Sequence, residues 1–127
     1  MVCQPKMQTM KDRKIIMATI DDTFNELRSR IVVDVNGTIS YMNHKGQLHR
    51  KNGPAMISGE TPERWWYFDG KLHRADGPAY ISGNGYESWW FNGQRHRVDG
   101  PAVTYPTGIY EWWLNGKQLD DIIFRFR

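Results

Sequence analysis

The chain has one cysteine, Cys3, so no intrachain disulfide can form and the fold must rest on packing and hydrogen bonds. A single thiol fits a reducing compartment, and its place in a polar, unpatterned N-terminal stretch marks it as incidental rather than nucleophilic. No apolar run approaches the ~20 residues of a membrane helix. No apolar core of a secretory signal follows the N-terminal charges. The sequence therefore predicts a cytoplasmic protein without a membrane partner. Aliphatic residues are also sparse, so a Leu/Ile/Val interior is excluded. Lys and Arg exceed Asp and Glu by only three, with the two signs interspersed. That permits an anionic partner without the dense cationic clustering of a dedicated nucleic-acid binder.

Catalytic signatures are missing as well. Gly83-Asn84-Gly85 is too short, and in the wrong context, for a phosphate loop. The carboxylate pairs Asp21-Asp22 and Asp120-Asp121 adjoin turns or helix starts, where Asp belongs anyway. His73-Arg74-x-Asp76 has the look of a kinase catalytic loop but lacks every other part of one. His49, His73 and His96 recur once per unit, and units of two strands would hold them about 10 Å apart. Zinc draws its nitrogens to about 2 Å from one centre, so these imidazoles do not read as a metal set. No catalytic residue, cofactor or metal is expected.

What the chain has instead is rings and repetition. Six Trp, six Tyr and five Phe must supply the apolar area. The segment Gly70-Lys71-Leu72-His73-Arg74-Ala75-Asp76-Gly77-Pro78-Ala79 returns as Gly93-Gln94-Arg95-His96-Arg97-Val98-Asp99-Gly100-Pro101-Ala102. An earlier copy is Gly46-Gln47-Leu48-His49-Arg50-Lys51-Asn52-Gly53-Pro54-Ala55. A period in this range signifies stacked units, each unable to bury its apolar face alone. Around each decapeptide lie two short strands. Turns are marked by Asp69-Gly70, Asn92-Gly93 and Asn115-Gly116, and by Asp76-Gly77 and Asp99-Gly100. The four residues of the second set are read as structural, with each Asp accepting hydrogen bonds at its turn and pairing with the Arg or His of its own unit.

Residues 1–36 read as an N-terminal arm followed by a strand or helix element. Lys14 to Ile20 could be a strand, and Thr23-Phe24-Asn25-Glu26 opens a short helix over Phe24 to Arg30 with the form of a capping box. The competing reading is a strand running into the β-branched Ile31 to Val35, which Asn36-Gly37 closes as a hairpin turn. Residues 37–127 read as a β-hairpin repeat domain of about four units. The last is degenerate and ends in a capping strand over Asp121 to Arg127. The expectation is one mainly β structural domain, a repeat-built antiparallel sheet with a short N-terminal helical element.

The tryptophan pairs Trp65-Trp66, Trp89-Trp90 and Trp112-Trp113 recur with the units. Alternation along a strand places Trp65, Trp89 and Trp112 on the better-buried face and Trp66, Trp90 and Trp113 on a partly open one. With His49, Arg50, Lys71, Arg74, Arg95, Arg97 and Lys117 near corresponding turns, the open face would be a stripe of rings and cations. Such stripes bind acidic protein surfaces or single-stranded nucleic acid. The alternative is a second packing layer, covered by residues 14–36. The candidate partner-binding residues are Trp66, Trp90, Trp113, Arg74, Arg97, His73 and His96.

From Thr38 to about Leu119 the decapeptide copies resemble the "NGKxHRxDGPA" tandem-repeat proteins of tailed phages and large DNA viruses. More distantly they are similar to MORN β-hairpin repeats and to the repeats of antitoxin-like bacterial proteins. Arg stands where MORN units carry Gly, so MORN-style membrane attachment is not implied. The resemblance implies a scaffold or interaction surface of phage or viral origin. The expected function is a non-enzymatic inhibitor that binds and blocks a host protein, such as an anti-phage defence component, in the host cytoplasm. Nucleic-acid binding and an antitoxin-like role are the alternatives, and exposed edges make a homodimer possible.

Overall fold

The computed structural model describes residues 30–119 and the strand at 13–16. In chain order the strands are β1 (Arg13–Ile16), β2 (Arg30–Asp34), β3 (Ile39–Met42), β4 (Met56–Ile57), β5 (Arg64–Trp65), β6 (Tyr67–Phe68), β7 (Lys71–Leu72), β8 (Tyr80–Ile81), β9 (Glu87–Ser88), β10 (Trp90–Phe91), β11 (Gln94–Arg95), β12 (Val103–Thr104), β13 (Tyr110–Glu111), β14 (Trp113–Leu114) and β15 (Lys117–Gln118). Nine of them form one sheet in the order β1-β2-β3-β4-β5-β8-β9-β12-β13, and β6-β7, β10-β11 and β14-β15 form three separate ribbons. Every pairing is antiparallel. The described residues are thus mainly β, made of hairpins, with no helix among them.

The expected helix over Phe24 to Arg30 lies outside the described residues except for Arg30, which opens β2. The expected capping strand over Asp121 to Arg127 lies outside them altogether. Of the strand expected over Lys14 to Ile20, β1 occupies Arg13–Ile16 and pairs with β2.

Two turn chemistries set the hairpin lengths. Asp69, Asn92 and Asn115 stand at φ of 47°, 50° and 48°, each followed by a Gly at φ above 80°. Two successive left-handed residues make the two-residue turn whose twist matches the flanking strands, and Asp-Gly and Asn-Gly adopt it most cheaply. The Asn36-Gly37 turn differs from expectation. Only Gly37 has positive φ, and Asp34 pairs through its backbone with both Gly37 and Thr38. The loop is therefore three residues long, Val35 to Gly37, because the Asp34 carboxylate accepts the N–H groups of Asn36 and Thr38 and holds it open by one residue.

Large aliphatic groups contribute little to the core. Ala55, Ala79, Ala102 and Val103 are fully enclosed. The three alanines are the last residues of the decapeptides, and they stitch the sheet on both sides. Their N–H groups reach Trp65, Ser88 and Glu111, and their carbonyls accept from Tyr41, Trp66 and Trp89. A small side chain belongs there because the backbones and rings of the neighbouring hairpins leave no room for a larger one.

Candidate functional site

Each decapeptide folds its arginine back over its own loop. The Arg74 guanidinium carbon lies 4.0 Å from the Trp66 ring centroid, and Nε and Nη1 reach Asp76 at 3.3 Å and the Pro78 carbonyl at 3.0 Å. Arg97 does the same with Trp89 (3.9 Å), Asp99 and Pro101. Arg50 stacks on Tyr41 and bonds the Pro54 carbonyl, with Asn52 in the place of the carboxylate. The glycine before each proline is part of this fit. A Cβ on Gly77 would stand 2.7 Å from the Arg74 guanidinium carbon, and one on Gly100 2.8 Å from that of Arg97. Asp76-Gly77 and Asp99-Gly100 lie in bends, with neither glycine at positive φ, and each Asp accepts from the Arg of its own decapeptide.

The histidines link one hairpin to the next. Nδ1 of His49, His73 and His96 accepts the backbone N–H of Asp69, Asn92 and Asn115, at 2.9, 3.0 and 2.9 Å. A backbone N–H can only donate, so Nδ1 is the acceptor, and in the neutral ring the proton is on Nε2. The imidazoles are spread from hairpin to hairpin instead of converging. Between them stand phenylalanines: His49–Phe68, Phe68–His73, His73–Phe91 and Phe91–His96 have centroid separations of 4.3, 6.0, 4.4 and 6.1 Å. Phe68 and Phe91 are 39% and 43% exposed, so this ring ladder meets solvent.

Two corresponding clefts open beside the ladder. The first, of about 620 Å³, lies between the Arg50–Gly53 loop and Trp66, Phe68, His73 and Arg74. The second, of about 510 Å³, lies between the Arg74–Asp76 loop and Trp89, Phe91, His96 and Arg97. Among the described residues the indole N–H groups of Trp66 and Trp89 have no hydrogen-bond partner, and neither is buried.

Trp90 and Trp113 belong to a different environment. Their indole N–H groups donate to Ser88 and Glu111. Arg95 is wedged between the two rings, 5.1 and 5.0 Å from the centroids, with its Nε buried and unpartnered. A row of rings continues on this side: Trp65 on Tyr80, Tyr80 on Tyr86, Tyr86 on Tyr105. Tyr80 and Tyr105 donate to Glu63 and Glu111. Burial, then the Glu63 carboxylate, pushes the Tyr80 phenol up. The Glu111 hydrogen bond, then burial, does the same for Tyr105.

The candidate residues therefore divide. Trp66, His73 and Arg74 come together in one cleft, and His96 and Arg97 in the next. Trp90 and Trp113 are apart from both, in the Arg95 sandwich. The cation stripe divides too, since Arg95 leaves it. The structural equivalent of Trp66 is Trp89, because both stand four residues before their turn glycines, Gly70 and Gly93. Matching the Trp-Trp pairs instead displaces the first unit by one residue and exchanges the faces. Trp89 and Phe91 were placed on the wrong face on that account, and counting back from the turn glycine sets them in register with Trp66 and Phe68. Among the described residues no helix is long and apolar enough to cross a membrane. No known protein family, characterised protein or solved structure matches the chain.

Proposed function

We propose that the chain is a non-enzymatic protein-interaction module. Its decapeptide hairpins stack as a MORN-like repeat array, and its binding face is the row of clefts beside the His-Phe ladder. The observation that carries this reading is the recurrence of the same open cleft in successive hairpins, each with an exposed phenylalanine and an unpartnered indole N–H. Exposed aromatic groups with nearby arginines are the usual anchors of protein interfaces. In the phage or viral setting that the sequence resemblance implies, the partner is a host protein, a defence component among them, and binding inhibits it by occlusion. The second reading is single-stranded nucleic acid, favoured by the cations Arg50, Lys51 and Arg74 beside the exposed Phe68 ring.

Affinity capture from host extract tests this reading, using the wild-type chain, a folded F68S/F91S variant, and Y110S as a control on a distant exposed ring. The proposal expects a protein retained by wild type and Y110S and lost from F68S/F91S. Equal retention by all three would remove the clefts as the binding face. Nuclease-sensitive material would favour the second reading.

A further inference from the structure

The clefts share a chemistry that narrows the partner, on the reading just proposed. We infer that they take an extended polyproline-II segment with prolines three residues apart and an acidic residue at the Lys51 end. The first argument is the period. The exposed rings of successive clefts, Phe68 and Phe91, lie 6.0 and 4.4 Å from His73 and so at most about 10 Å apart, the separation of two strand spacings. A polyproline-II chain turns once in three residues and advances ~9.3 Å, so residues i and i+3 present the same face at that spacing. Same-face residues of a β-strand recur at about 6.6 Å and are out of step.

The second argument is hydrogen-bonding type. The lining of each cleft includes a tryptophan whose indole N–H makes no hydrogen bond, Trp66 or Trp89, and an imidazole whose proton is left on Nε2, His73 or His96. These are donors beside exposed phenyl rings. A polyproline-II segment offers solvated carbonyl acceptors, few N–H groups and flat apolar rings. A helix uses all but its last four carbonyls internally and has none to give along its length.

The third argument is charge. The second cleft balances Arg74 and Arg97 against Asp76 and Asp99. The first has Arg50, Lys51 and Arg74 against Asp76 alone, because Asn52 stands where the later copies carry aspartate. That cleft keeps an excess of positive charge, and a carboxylate on the ligand would answer it. The one departure of the first decapeptide from an acidic turn thus orients the peptide.

Three labelled synthetic peptides test this against the full chain by fluorescence anisotropy. One has prolines at every third position and Asp at one end. The second has the same composition with prolines at every second position. The third replaces proline by glycine. The expected result is binding of the first about tenfold tighter than of either other, lost in F68S/F91S and weakened in N52D. Equal binding of all three, or binding of none, overturns the inference. If F68S/F91S loses its captured host protein yet wild type ignores the peptides, only the ligand class is wrong and the binding face stands. If the variant misfolds, the comparison of peptides on wild type still decides.

Discussion

Arg74 lies over the indole of Trp66, 4.0 Å from the ring centroid, and its fork closes the loop that follows through Asp76 and the Pro78 carbonyl. Lysine could keep the charge but not the plane or the fork. R74K and R97K are each expected to cost about 1–2 kcal/mol in chemical denaturation, from the weakened ring contact and a lost carbonyl bond. D76N is expected to cost less, about 0–1 kcal/mol, because the Asp76 carboxylate is 89% exposed.

A second expectation concerns volume. G77A places a methyl group 2.7 Å from the Arg74 guanidinium carbon, and A79V adds two methyls at a fully enclosed site. Both should destabilise by about 1–3 kcal/mol. In the double variant R74A/G77A the clash of the glycine change disappears, so its cost should be smaller than in wild type. A double-mutant cycle measures that coupling.

The hairpins that turn at Asp69-Gly70, Asn92-Gly93 and Asn115-Gly116 were legible in sequence because Asp-Gly and Asn-Gly impose backbone geometry locally. Asp69, Asn92 and Asn115 show the left-handed φ their neighbours require. Which tryptophans share a face was not legible, because two adjacent rings look alike to any pattern count, and a slip of one residue reverses the faces. Nor was the bond from His73 to the Asn92 N–H, which joins residues 19 apart and depends on how one hairpin seats on the next. Asn36-Gly37 read as a two-residue turn because the dipeptide dominates that signal. The Asp34 carboxylate, two residues before it, decides the loop length.

The histidine bonds give a third expectation. H73A removes the acceptor for the Asn92 N–H and two ring contacts of the ladder. It should destabilise by about 0.5–1.5 kcal/mol. Hydrogen exchange at the Asn92 amide should accelerate in H73A more than at the Asn115 amide, which His96 still covers.

Alkaline pH gives a fourth. Tyr80 and Tyr105 donate to carboxylates, and both phenols are raised above the ordinary 10.0. A phenol whose folded value exceeds its unfolded one contributes stability that is complete below pH 10.0 and is lost as pH rises through the folded value. The chain should therefore lose stability above pH 10, and Y105F should flatten part of that loss. Denaturation midpoints across pH 8 to about 11 check it.

The measurement that bears most directly on the account is a paired one, denaturation free energy and partner affinity for R97K and F91S. The decapeptide is expected to set shape and the ring ladder to set contact. R97K, which keeps the cleft's charge, should therefore lose mainly stability. F91S loses the His73 and His96 ring contacts, at a stability cost no larger than that of H73A, and should lose affinity at least about tenfold. An R97K chain as stable as wild type that no longer binds, beside an F91S chain that binds fully, would contradict it.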